Sequence, residues 1–207
     1  MKFAAKASTD FAPVPAGNHV AICNAVIDLG MQPGRGMYPD PKHEVYVRFE
    51  LPSEQVEYQK DGQTIKGPMS IGRTFTASMS EKANLRKFIE GWFAKKFAGD
   101  NAAADFDHKL LLGKKCLLNV THTEKGGKVY ANIAGAAPIP KGMPTDYPQH
   151  NESLFFSLEE PSDVMYQKLP EWLRKKIDER IEEQPTPAVQ REAAMAGAGI
   201  DDDDVPF

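Results

Sequence analysis

Between His43 and Leu51 the apolar residues Val45, Val47, Phe49 and Leu51 alternate with Glu44, Tyr46, Arg48 and Glu50. This period of two marks a strand with one buried face, and it is the cleanest such pattern in the chain. Upstream, "GNHVAICNAVIDLG" (17–30) is a run of β-branched and small apolar residues bounded by glycines, which predicts a first strand. The stretch between them, "MQPGRGMYPDPK" (31–42), holds three prolines and two glycines and predicts a loop. Asp61-Gly62, set between 56–59 and 63–66, predicts a tight hairpin turn of type I′, and 70–80 a further strand. A change of period follows: Leu85, Phe88, Ile89, Trp92, Phe93 and Phe97 recur at three and four residues, a buried helix face with Ser80 as its N-cap. The other side of that helix carries Lys82, Arg86, Lys87, Lys95 and Lys96. Residues 115–122 and 128–134 then read as two strands joined at Gly126-Gly127.

These elements are the ingredients of a mainly β fold with helical additions: a five-stranded OB-type barrel with a helix between strands 3 and 4. A β-sandwich or another small barrel could be assembled from the same pieces. Prolines return in "PIPKGMPTDYP", and the first domain, 1–141, is expected to end near Lys141. Residues 142–184 form a C-terminal extension whose amphipathic helix has Ser162 as a cap and Pro170 at a helix start. Leu169, Leu173, Ile177 and Ile181 make one apolar line at i, i+4. So narrow a stripe must pack either on the barrel or on another subunit of a homo-oligomer. Residues 185–207 read as a flexible linker and an acidic tip.

A length of 207 residues with 41% hydrophobic content is enough for one core with appendages. No apolar run approaches the roughly 18 residues of a membrane-spanning helix, and the opening "MKFAAKASTDFAPVPAG" has no secretory apolar stretch. A soluble protein of the bacterial cytoplasm is expected. Cys23 and Cys116 lie far apart with no C-x-x-C spacing, so both are expected reduced and buried. The net charge of −4 hides an asymmetry: residues 1–141 carry 19 Lys+Arg against 14 Asp+Glu, whereas 142–207 carry 6 against 15. A basic body with an acidic tail suits a polyanionic partner, with the tail as its competitor.

Enzyme signals are weak. "HTE" (122–124) matches the H-x-E of zinc deaminases, but no P-C-x-x-C follows and the adjoining "KGGK" marks a hairpin. "GGK" (126–128) lacks the rest of a phosphate loop, and neither G-x-S-x-G nor H-E-x-x-H occurs. A non-catalytic protein without metal or cofactor is expected.

The chain ends in "GIDDDDVPF". Most acidic C-termini are solubilising tails, but an exposed ring has no use there. Phe207 joins an aromatic side chain to a terminal carboxylate, Pro206 restricts the backbone before it and Val205 adds an apolar contact. A pocket with one basic group, an apolar slot and a basic rim would bind this segment. "DDDDVPF" resembles the C-terminal tip of bacterial single-stranded DNA-binding proteins. That resemblance implies docking onto replication, recombination and repair proteins, with Pro206 and Phe207 as anchors and Asp201, Asp202, Asp203 and Asp204 as the electrostatic part. The body is similar to phage-encoded single-stranded DNA-binding proteins of OB fold. The similarity rests on "FAPVPAGNHVAICNAVIDLG", "LRKFIEGWF", "LLGKKCLLNVTHTEKGGKVYANI" and "LPEWLRKKI". The opening strand departs from that of the ordinary bacterial single-strand binder.

Single-strand binding needs aromatic platforms for bases and cations for phosphates along one groove. Tyr46 and Arg48, opposite Val45, Val47 and Phe49, supply one of each. Arg73 and Phe75 share a face with Ile71, so Phe75 is either a stacking ring or core. Lys128 and Tyr130 project together from the closing hairpin, Arg35, Tyr38 and Lys42 lie in the first long loop, and Tyr58 and Lys60 flank the Asp61-Gly62 turn. Each of these could equally be a solvated surface residue. The expected function is coating of single-stranded DNA in phage replication and recombination, with the tip recruiting a recombinase, exonuclease, helicase or primase. The rivals are an adaptor that binds a recombinase or replisome component without touching DNA, and a nuclease or deaminase subunit disfavoured by the missing ligand sets.

Overall fold

In a computed structural model the residues described are 12–34, 36–37, 39–60 and 63–181. The strands β1 (Gly17–Gln32), β2 (Lys42–Lys60) and β3 (Gln63–Thr76) are followed by the helices α1 (Asn84–Phe93) and α2 (Asp100–Ala104) and a 3-10 turn at His108–Leu111. The strands β4 (Lys115–Lys125), β5 (Lys128–Ala137) and β6 (Leu154–Phe156) come next, then the helices α3 (Asp163–Lys168) and α4 (Glu171–Asp178). The fold is mainly β: five antiparallel strands in the order β3-β2-β1-β4-β5 curl into a half-barrel, and β6 joins β1 in parallel. Among the described residues no helix is long and apolar enough to cross a membrane.

The curl originates in β1. Its first half pairs with β4, from Gly17 opposite Val120 to Ile22 opposite Lys115, and its second half pairs with β2 and β6. The ladder to β2 slips between Cys23 and Ala25. Such a bulge adds one residue to one strand, bends it and increases its twist. It also reverses parity, because side chains alternate strictly along a strand. Ala21 and Cys23 face the interior of the half-barrel, Val26 does so after the bulge, and Ala25, Ile27 and Leu29 face outward. The "AICNAVIDL" run therefore lacks a strict apolar–polar alternation because both its faces are buried.

Two cores result. The inner one packs Val45, Val47, Phe49 and Phe75 against Leu85, Phe88, Ile89 and Trp92 of α1. The Trp92 indole N–H donates to the Lys115 carbonyl at 3.0 Å, so this large ring is buried with its one polar atom satisfied. The helix differs at both ends from its sequence pattern. It begins at Asn84, with Ala83 at the cap and no side-chain cap, while the Ser80 carbonyl accepts from Ala83 N–H in the turn before it. It stops at Phe93, so Phe97 lies beyond it and meets Phe106 instead. Arg86 is not on a solvated face: it is buried, and it donates to Glu90, Asp100 and the Met79 carbonyl. Those three acceptors are what permit a guanidinium there.

The outer core places Ala25, Ile27 and Leu29 under Leu154, Phe156, Leu169, Leu173 and Ile177. Residues 142–181 thus return to the chain's own sheet, and the apolar line packs in cis. Ile181 stands apart at 41% exposure and ties down by a backbone bridge to Met31. The single amphipathic helix of the sequence pattern is two helices. Ser162 caps α3, its hydroxyl accepting from Met165 N–H, and Leu169 is extended (φ −70°, ψ 143°) because Pro170 disfavours helix at the residue before it. The closing hairpin matches its pattern, with Lys125 opposite Lys128 and both glycines of the turn at positive φ (60° and 74°).

Three carboxylates fasten the extension, one of them Glu44, which accepts from Lys176 Nζ at 3.2 Å. Glu50, fully buried, accepts from Asn24 Nδ2 (3.2 Å), His150 N (2.7 Å), Asn151 N (2.9 Å) and Asn151 Nδ2 (2.7 Å). Asp28 accepts from His43 Nε2 (2.6 Å), Gly30 N (2.9 Å) and Leu158 N (3.4 Å).

Candidate nucleic-acid interface

The β2–β3 register divides the sequence-predicted residues between two faces. Arg48 pairs with Gly72 and Tyr46 with Thr74, whereas Val47 pairs with Arg73 and Val45 with Phe75. Directly opposed residues share a face. Tyr46 and Arg48 are therefore outside the half-barrel, and Arg73 and Phe75 inside.

Inside, Phe75 is 3% exposed and packs on Phe88 with ring centroids 5.0 Å apart. The Arg73 guanidinium lies 4.7 Å over the Phe75 ring, and its Nη1 donates to the Ile133 carbonyl of β5 at 3.0 Å. Arg73 thereby bridges the two edge strands of the sheet, where no ladder joins them. In this arrangement the Phe75 ring presents no open face to a base.

Outside, the Tyr46 ring lies across β3 at Gly72, where any Cβ would overlap its hydroxyl. Trp172 of α4 meets it edge to face, with centroids 5.0 Å apart and planes at 90°. Burial pushes the Tyr46 hydroxyl above the usual phenol range, against the opposing pull of the nearby Arg48 charge. Trp172 itself is 48% exposed. Arg48 donates from Nε to Asn24 Oδ1 at 2.9 Å, and Asn24 in turn donates to Glu50. That chain fixes the guanidinium while its Nη groups have no partner among the described residues. Sequence reasoning missed Trp172. It sits one residue before Leu173 of the apolar line in "PEWLRKK", an offset of about 100° on a helix, which was the available signal.

The remaining candidates fall elsewhere. Lys42 opens β2, opposite Gln32, and is exposed. On the β4–β5 hairpin Thr123 pairs with Tyr130 and Lys125 with Lys128, so Lys128 and Tyr130 share the hairpin's outer face with Lys125. Tyr130 is 49% exposed. Tyr58 and Lys60 occupy register positions opposite Ile65 and Gln63. Arg35 and Tyr38 lie outside the described residues, as do Asp201, Asp202, Asp203, Asp204, Val205, Pro206 and Phe207.

The residues that could suggest other chemistry have structural partners. His122 Nε2 bonds the Val14 carbonyl at 2.7 Å, and among the described residues no group of three His, Cys, Asp or Glu side chains could hold a metal. Cys23 and Cys116 are free and buried, as expected; burial pushes the Cys23 thiol up to about 12 and raises Cys116 as well. What the outer side offers is the Tyr46–Trp172 ring pair, its tyrosine packed against the outer core, and a fixed guanidinium on the same strand as Tyr46. No protein family matches the chain, and no curated protein is recognisably similar to it.

Proposed function

We propose that this chain is a non-catalytic protein that coats single-stranded DNA, built on an OB-type barrel. Its outer β2–β3 face holds the strand, and its acidic tip recruits partner proteins in phage DNA replication and recombination inside the bacterial host. One observation supports the reading above the others: Tyr46, met by the half-exposed Trp172 of α4, shares one sheet face with Arg48. Aromatic faces accept any base by stacking, and a guanidinium supplies the phosphate contact, so the arrangement suits binding with little sequence preference. The helix inserted between β3 and β4 and the Arg73 bridge that draws β3 toward β5 both fit an OB-type barrel. Lys128 and Tyr130 on the closing hairpin extend the same chemistry.

The test is fluorescence polarisation with labelled oligo(dT), and with a duplex of equal length, across a salt series. Tight binding to the single strand alone, weakening steeply as salt rises, is the expected result. Absence of binding at low salt would reject the coating function and leave an adaptor that works through protein contacts. Removal of residues 199–207 should leave DNA affinity equal or higher and abolish partner recruitment.

A further inference from the structure

The alternation that sends Tyr46 outward sends His43 and Val45 inward, and on β1 it sends Val26 and Asp28 inward below the bulge. There the half-barrel does not close. Because β1 has left β4 by Ile22, α2 and the 3-10 turn cover this end, and between them and β6 lies a cleft of about 640 Å³. Its volume is within the range of about 300–1,000 Å³ typical of ligand sites.

The cleft is apolar within, through Val26, Val45, Leu85 and Phe155, and acidic around it, through Asp28, Asp105, Asp107 and Glu159. His43, His108 and Ser157 add further polar groups, and among the described residues no lysine or arginine lines it. A cation stands beside it: the Lys109 Nζ is 5.5 Å from the centre of the Phe155 ring. Not every carboxylate is available: Asp28 is engaged by His43, and Asp107 accepts from Lys109 N–H. Asp105 and Glu159 are exposed and have no ion-pair partner among the described residues. Phosphate groups are repelled by such a rim, so this end of the molecule disfavours nucleic acid. An apolar interior under unpaired carboxylates is complementary to a hydrophobic side chain flanked by cations.

We propose that this cleft is a second docking site, for a partner polypeptide that presents an aromatic or large aliphatic residue next to lysine or arginine. It opens on the inner side of the sheet whose outer side carries Tyr46 and Arg48. A single strand and a basic peptide therefore occupy opposite faces of one sheet, and neither blocks the other. The proposal does not depend on the DNA-coating reading.

The experiment is selection of a phage-displayed random heptapeptide library on the full-length chain and, in parallel, on its D105N/E159Q variant, followed by anisotropy measurements with the selected peptides. Both substitutions fall on exposed side chains, and a thermal melt checks that the variant folds. Asp201 to Asp204 are present in both chains, so any attraction of basic peptides to the tail is common to both and cancels. The expected result is enrichment of peptides pairing a hydrophobic residue with Lys or Arg, which bind the variant weaker by roughly fivefold or more. Affinity for oligo(dT) should be unchanged or slightly higher in the variant. No enrichment, enrichment of peptides without basic residues, or equal binding to both chains would overturn the proposal.

Discussion

The inner and outer cores share strand β1 but are held in different ways. The inner core is sealed by shape: Phe49, Phe75, Phe88 and Trp92 interlock, and Trp92 satisfies its one polar atom locally. The outer core is a thinner apolar layer, kept in place by polar fasteners that reach from β1 and β2 to residues 100 or more positions away. Close packing resists any loss of volume, whereas a fastener fails when one acceptor is removed. The inner core should therefore behave as the unit on which the whole fold depends, and the extension as a unit that can detach from it.

The largest effect is expected from Trp92→Ala, which empties the centre of the inner core. It should cost about 3–5 kcal/mol, and chemical denaturation should show protection lost in every strand together. Glu50→Ala sharpens the contrast. It strands the donors of Asn24, His150 and Asn151, for a loss of about 3 kcal/mol. Hydrogen exchange should rise in β6, α3 and α4 while β4 and β5 remain protected. Simultaneous loss of protection in both regions would mean that the extension is not a separate unit.

Trp172→Ala separates packing from binding. Half of this ring is in solvent, so stability should fall by no more than about 1 kcal/mol. On the proposed function, affinity for oligo(dT) should fall by ~1–3 kcal/mol, about 5- to 150-fold. Undiminished affinity would remove Trp172 from the interface. The smallest effect concerns another fastener. Burial alone would raise the Asp28 carboxyl, but the hydrogen bonds from His43, Gly30 and Leu158 hold it below the ordinary value of 3.8. A depressed carboxylate stabilises the fold above its unfolded pKa and loses that contribution as pH falls through its folded one. Melts of wild type and Asp28→Asn should differ near neutral pH and converge only as pH falls below 3.8 and through the depressed folded value. A gap that persists into acid would point to packing in place of charge.

Much of the fold was legible in local pattern. The alternation at 44–51, the paired glycines of the closing hairpin, the stripe of α1 from Leu85 to Trp92, and Ser162 with Pro170 all act over a few residues, and each appears in the structure, whereas Phe93, expected on the buried stripe, is 42% exposed. The site was legible only in part. Tyr46 and Arg48 face out as their alternation requires, but their neighbour comes from α4, more than 100 residues on. Arg73 resembles Arg48 in sequence, and only the strand register shows that it faces the interior and bridges to β5.

By itself the sequence determined which segments extend, coil and turn, because period, branching and turn chemistry are local properties. The tertiary structure alone decided the parity of β1 through the bulge beside Asn24. It also decided that residues 142–181 pack in cis, and that Trp172 lies against Tyr46. Those outcomes depend on which partner strand and which distant donors are present, and a single side chain carries no information about either.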